Sequence, residues 1–158
     1  MPAIALAILA GLCWGIGELF TKSVLHTGRV GPMTAIAVRS AVALPFLLLA
    51  WALAVRGAAG LPVEPQLVDA GRANLFKLTL GSGLVAGGAA MIFFYAALSV
   101  GEISRVKPVA FGVAPATAVL LGWLVLGERM TMTKALGTVL ILAGVLLLTR
   151  GAGTAATR

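Results

Sequence analysis

Charged residues and cysteines are both scarce in this chain of 158 residues. Only 11% of the residues are charged, whereas 60% are hydrophobic; a soluble domain carries about 25% charged and about 45–50% apolar residues. This composition excludes an ordinary soluble domain and predicts an integral membrane protein surrounded by the lipid bilayer. The single cysteine, Cys13, excludes an internal disulfide and a cysteine-rich metal site. We therefore expect no metal ion and no cofactor.

Groups that carry soluble-enzyme chemistry are also few. His26 is the only histidine, and we place it in a loop, with no nucleophile–base set, metal cluster or phosphate loop in the sequence. We therefore predict that the protein is not an enzyme. The net charge of +7 comes from 12 basic and five acidic residues, but the basic residues are scattered rather than gathered into the stripe that nucleic-acid binding requires. We expect no nucleic-acid partner.

Long apolar runs dominate what remains. A helix that crosses the bilayer needs about 20 mostly apolar residues, and five runs fit: approximately residues 2–20, 33–55, 78–100, 109–126 and 132–149. The fold class predicted is an all-α integral membrane protein with a bundle of five transmembrane helices. We assign residues 1–149 to one domain and predict a disordered tail at 150–158. No basic residue precedes the first run, which predicts a retained span rather than a removed leader.

The connections give the chain almost no charge bias. Five spans put the two termini on opposite sides, and loop Lys and Arg should favour the cytoplasmic side. Five basic residues lie on the side of the N-terminus and six on the other: Arg56, Arg72, Lys77, Arg129 and Lys134 against Lys22, Arg29, Arg105, Lys107, Arg150 and Arg158. Two interpretations stay open. Either Arg39 or the long second loop, with a short interfacial helix at 63–76, sets one orientation, or the protein inserts in both.

Four stretches together carry a family resemblance: GLCWGIGELFTK, GPMTAIAVRSAVALPFLLL, FFYAALSVGEISRVKPV and, most specifically, LLGWLVLGERMTMTKALGTVLILAGVLLL. The chain resembles a single EamA-type repeat of the drug/metabolite transporter superfamily over about residues 10–148. It is similar to the short, five-span bacterial and archaeal branch.

The resemblance implies an architecture and a function. Family members commonly carry two such repeats, so this chain corresponds to one half of a ten-helix inverted-repeat transporter. Such proteins place the solute near the bilayer midplane between the repeats. We therefore expect a multi-pass secondary transporter for a small organic solute, an antiparallel homodimer in the plasma (inner) membrane of a bacterium or archaeon. The alternative is a non-transporting subunit or half-transporter that assembles with a paralogous partner.

Glu18 lies inside the first span, where ionisable groups are costly and commonly functional. One interpretation pairs it with Lys22 at i+4, both side chains extending towards the headgroups. The other makes it a site where protonation and solute binding compete, which would couple transport to protons. The small multidrug resistance branch uses a first-span glutamate in this way. Aligned on Lys22, that glutamate falls at Trp14, and Glu18 lies one helical turn later.

Three further side chains are candidates for the solute site. Trp14 stands in mid-span, where it either lines a cavity or packs in the core. Arg39 lies about two turns inside the second span, in a stretch where EamA-type proteins often have Arg; it either forms a structural ion pair, including one with Glu18, or binds an anion of the solute. Tyr95 either offers its hydroxyl to a ligand or meets the membrane interface.

Small residues mark candidate helix contacts. Gly11 with Gly15 and Gly83 with Gly87 have the GxxxG spacing that lets helices approach closely. Gly137 and Gly144 share one face of the last span and match the seam that pairs subunits in the small multidrug resistance branch. They either pack within one subunit or form the dimer contact. In the GER turn, Glu128 and Arg129 are predicted to have a structural role.

Overall fold

The computed structural model describes residues 2–58 and 63–150, and all regular structure in this part of the chain is helical. Five segments are long and apolar enough to cross a membrane, namely Ala3–His26, Pro32–Val55, Arg72–Val100, Ile103–Leu126 and Met132–Arg150. The all-α, five-span prediction is therefore confirmed. The predicted tail lies, from residue 151 onward, outside the described residues.

Three spans are longer than the apolar runs suggested, among them the third span, which begins at Arg72 rather than at residue 78. Helix α1 (Pro2–His26) continues past Phe20, so Lys22 is helical and His26 is the last helical residue rather than part of a loop. Helix α5 (Ile103–Leu126) begins before the predicted start at Val109. Polar residues end an apolar run, but they do not end a helix, because Lys and Arg can keep their stems on the helix while the charge reaches water.

Helix α2 (Pro32–Val55) begins at a proline. Proline suits the first helical position, since the N–H that it lacks has no helical acceptor there. Pro45 lies inside the same helix, and Pro115 lies inside α5.

The third span is a composite helix. The short α3 (Arg72–Phe76) is followed without a break by a π-helix (Lys77–Ala89) and by α4 (Ala90–Val100). The π segment, KLTLGSGLVAGGA, is rich in glycine, which adapts easily to a wider backbone, whereas most π-helices are single turns. The prediction of one interfacial helix at 63–76 is wrong. A 3-10 turn (Leu67–Ala70) precedes α3, and α3 itself is the beginning of the third span.

The chain divides into two compact units, Met1–Ser99 and Val100–Arg158; the assignment of one domain to residues 1–149 stays a prediction. In the first unit the buried apolar side chains are few: Leu25, Ala54, Tyr95 and Leu98. Long apolar side chains elsewhere on the spans are mostly exposed, as expected of helices whose surface faces lipid tails.

The second unit is an antiparallel hairpin of α5 and α6 (Met132–Arg150). Gly112 is buried where the two helices meet, and a side chain there would collide with Val145. An apolar groove of about 330 Å³ runs beside this contact, lined by Pro108, Phe111, Gly112, Leu140, Ile141, Gly144, Val145 and Leu148.

Candidate functional site

Three helices of the first unit each bring one polar side chain to a common point: Glu18 from α1, Arg39 from α2 and Tyr95 from α4. We call these residues the polar cluster. Arg39 Nη1 donates to Glu18 Oε1 at 2.8 Å and to the Tyr95 hydroxyl oxygen at 2.9 Å. The Arg39 Cζ atom also lies 5.8 Å from the centre of the Tyr95 ring, within the range of a cation–π interaction.

Burial differs sharply within the cluster. Tyr95 is fully buried and Glu18 is 3% exposed, whereas 37% of the Arg39 side chain is accessible. Glu18 Oε2 is buried and has no hydrogen-bond partner among the described residues. The cluster therefore combines a desolvated carboxylate, a tyrosine that fixes the guanidinium, and an arginine that can still be reached.

The arrangement decides between partners proposed for Glu18. Its carboxylate accepts from Arg39, the pair that the sequence allowed, while the Lys22 ammonium donates to the Leu98 carbonyl oxygen at 2.9 Å. Lys22 therefore ties α1 to the backbone of α4. The Glu18 carboxylate is buried within the first unit and links α1 to α2 through Arg39. This differs from the alternative in which Glu18 and Lys22 pair on α1 and extend towards the headgroups.

Two other aromatic residues lie on the helices that carry the cluster. Trp14 is on α1 four residues before Glu18, hence on a similar face, and is 49% exposed. Phe94 meets the Tyr95 ring edge-on with 6.0 Å between ring centres. Tyr95 is fully buried, and its hydroxyl oxygen accepts from Arg39.

Among the described residues, none of the glycines proposed for helix packing lies where an added side-chain carbon would reach a second helix. A side-chain carbon built at Gly11, Gly15, Gly137 or Gly144 meets nothing within 4 Å, and one at Gly83 or Gly87 meets only a carbonyl oxygen of its own helix. The close helix contact lies instead at Gly112, which the sequence analysis did not select. Gly112 and Ala116 have the small-xxx-small spacing on α5, a signal in the sequence that could have found this contact.

The GER turn is closed by its own residues. Gly127 has a positive φ of 68°, which a glycine adopts without steric cost, and the N–H groups of Gly127 and Glu128 both donate to the Gly122 carbonyl oxygen. The Glu128 carboxylate folds back over Gly122 and pairs with Lys134 at 3.0 Å. These contacts are those of a turn between two helices.

The membrane-spanning helices agree with what a comparison to known protein families finds. The profile of the EamA-like transporter family matches residues 1–150. The chain belongs to the EamA-like transporter family. It is thus a multi-pass membrane protein of the drug/metabolite transporter superfamily, whose members are transporters rather than enzymes. No curated protein and no solved structure matches this EamA-like chain.

Proposed function

We propose that this EamA-like protein moves a small organic solute across the membrane by alternating access, and that the polar cluster forms its solute site. The observation that carries the proposal is an ion pair with a tyrosine, contributed by three membrane helices and left with unpartnered polar atoms. Charged residues within spans commonly mark a solute or ion pathway. Arg39 is about 10 Å along α2 from its first residue, well inside the span.

We further propose that the working unit is an antiparallel homodimer. A single five-span repeat supplies one half of a ten-helix architecture, and the near-equal charge of its two sides permits insertion in both orientations. The faces of Gly137 and Gly144 are open, which leaves room for a partner helix. We propose Glu18 as the group that couples transport to protons. We also propose that the protein resides in the plasma membrane of a bacterium or archaeon.

The transport proposal is tested with purified protein in proteoliposomes. The probes are labelled alanine, putrescine, glucose, tetraphenylphosphonium and benzoate, which represent different solute classes. For a transported probe, Arg39→Lys and Tyr95→Phe should each lower the uptake rate by about tenfold or more. Lysine offers a point charge instead of the planar guanidinium fork, and Tyr95→Phe removes the hydroxyl oxygen that holds the guanidinium in place. Arg105→Lys is the matched control, since the Arg105 side chain has a similar exposure of 34% but pairs with Glu102, outside the polar cluster.

Full uptake by Arg39→Lys would show that the polar cluster is not part of the solute pathway. No uptake of any probe by folded protein would overturn the transporter proposal for the chain alone. It would favour instead a half-transporter that needs a paralogous partner.

The homodimer proposal is tested with C-terminal reporters that are active only inside or only outside the cell. Both reporters should be active at comparable levels at every expression level. Activity of only one reporter would contradict the antiparallel homodimer and leave the assignment of the cluster unaffected.

A further inference from the structure

The pairing within the polar cluster is incomplete on both sides. Arginine–carboxylate pairs are frequently bidentate, with two parallel N–H···O bonds, but here Glu18 uses one oxygen and Arg39 uses one nitrogen. That nitrogen, Nη1, also serves Tyr95. The remaining donors of Arg39, on Nε and Nη2, have no partner in the part of the chain that the structure describes, and neither has Glu18 Oε2.

The two unused groups differ in accessibility. Among the described side chains, Glu18 Oε2 is the only polar atom that is both buried and unpartnered, so Arg39 Nε and Nη2 must be accessible. These two nitrogens share one side of the guanidinium plane and form a fork that matches the two oxygens of a carboxylate. Glu18 and Tyr95 hold the opposite corner of the guanidinium, which keeps the free fork in a fixed orientation.

Charge balance identifies what must accompany an anion at this fork. The Glu18–Arg39 pair is neutral, and an added anion would leave one net negative charge inside a span, where such charge is costly. One proton on Glu18 restores neutrality, and Oε2 is the oxygen that is free to carry it. The other titratable groups near Glu18 are the Arg39 guanidinium from α2, the Tyr95 hydroxyl from α4 and, one turn along α1, the Lys22 ammonium held by the Leu98 carbonyl oxygen.

We propose that the solute of this site is a small monocarboxylate, bound through Arg39 Nε and Nη2, and that Glu18 takes up one solvent proton on Oε2 in the same event. This inference rests on the proposed function, because it names the solute class of the same site. A phosphate monoester carries about 1.5 to 2 negative charges, so one proton would not neutralise it. A cationic solute would be repelled by the positive charge of the Arg39 guanidinium, which is the accessible part of the cluster.

For a first-span carboxylate alone, the sequence suggested that the proton and the solute compete for Glu18; the proposed site has the opposite relation. Proton and anion bind together rather than compete, so by linkage each increases the affinity for the other. A neutral residue at position 18 then imitates the protonated state. Glu18→Gln should consequently bind the monocarboxylate at least as tightly as the unmodified protein, whereas competition at one site predicts loss of binding.

The test uses the purified full-length protein in lipid nanodiscs, titrated calorimetrically with acetate, butyrate and benzoate, and with benzamide and inorganic phosphate as comparisons. Titrations in two buffers of different ionisation enthalpy count the protons taken up. For at least one carboxylate, we expect about one proton per anion and a dissociation constant that rises by up to about tenfold per pH unit. Glu18→Gln should bind with no proton uptake and no such pH dependence.

The variants separate recognition from folding. Arg39→Lys should weaken carboxylate binding by about tenfold or more, while Glu102→Gln, at an exposed carboxylate of the other unit, should change neither affinity nor proton uptake. Because Glu18→Gln is expected to retain or gain affinity, misfolding cannot imitate the expected result. Carboxylates that bind no better than benzamide, binding without proton uptake, or loss of binding in Glu18→Gln would each overturn the proposal.

The two proposals fail in different ways. Proton-linked carboxylate binding without uptake into proteoliposomes would preserve the assignment of the site and overturn transport by the chain alone. Uptake of putrescine or tetraphenylphosphonium that depends on Arg39, without carboxylate binding, would preserve the transporter and overturn the monocarboxylate.

Discussion

The two units of the chain each contain an ion pair of similar length in very different surroundings. Glu18 and Arg39 are 2.8 Å apart with side chains 4% and 37% exposed, whereas Glu128 and Lys134 are 3.0 Å apart with side chains 54% and 43% exposed. Exposed pairs contribute about 0–1 kcal/mol. Removing one partner of a buried pair costs about 3–5 kcal/mol, because the other charge stays buried and uncompensated. Distance alone therefore does not rank the two pairs.

The units also differ in what holds their helices together. In the first unit, hydrogen bonds from Lys22 and Arg39 join α1 and α2 to α4. In the second, α5 and α6 pack at Gly112 against Ile141 and Val145, and the ion pair lies at the turn. A polar contact that holds helices is open to a ligand or a proton, whereas an apolar helix contact offers neither. This contrast is why we propose the first unit as the location of the functional chemistry.

The largest expected effect comes from breaking the buried pair. Arg39→Ala should destabilise the protein by about 3 kcal/mol, since Glu18 is almost fully desolvated. Unfolding in mixed micelles of increasing SDS content measures the change. The double variant Glu18→Leu with Arg39→Met should recover most of the loss, because an apolar pair of similar size carries no desolvation cost. Equal losses in the single and double variants would show that the charge is not the cause.

A smaller effect is expected at the apolar helix contact. Gly112→Leu should destabilise the second unit by about 1–3 kcal/mol, because a side chain there meets Val145 and Ile141. Gly137→Leu is the matched control: it makes the same change on α6, where the built carbon meets nothing within 4 Å in the described residues. The same SDS titration compares them. Gly137→Leu should leave the stability of the subunit unchanged but reduce cross-linking between copies if that face forms the dimer contact.

The smallest effect is expected at the exposed pair. Lys134→Gln should change stability by less than about 1 kcal/mol, and added salt should abolish the difference. Unfolding curves at low and high ionic strength provide the measurement. A loss as large as that of Arg39→Ala would mean that the GER turn does more than connect α5 and α6.

Much of the fold follows from the sequence, because long apolar runs can cross a bilayer only as helices when they are not part of a barrel. The helix ends were harder to place: α1 continues through Lys22 to His26, since a polar side chain does not interrupt backbone hydrogen bonds. The π-helix was not foreseen either. Its winding depends on local glycine content and on packing, and no periodicity in KLTLGSGLVAGGA reports it.

The candidate site was predictable in its members but not in its geometry. Glu18 and Arg39 stand out as charges within spans, and Tyr95 as a polar aromatic residue. Which atoms pair depends on the rotation of α1, α2 and α4, and hydropathy does not encode that rotation. The unpartnered Oε2 of Glu18 and the free fork of Arg39 are therefore findings of the structure.

The central claim is that the polar cluster, and not the charged residues outside it, recognises the solute. The most direct measurement is counterflow of labelled benzoate, or of whichever probe is transported, in proteoliposomes containing Arg39→Lys or Arg105→Lys. Our account predicts that Arg39→Lys loses about tenfold or more of the rate, while Arg105→Lys keeps it. Equal rates in the two variants would contradict the account.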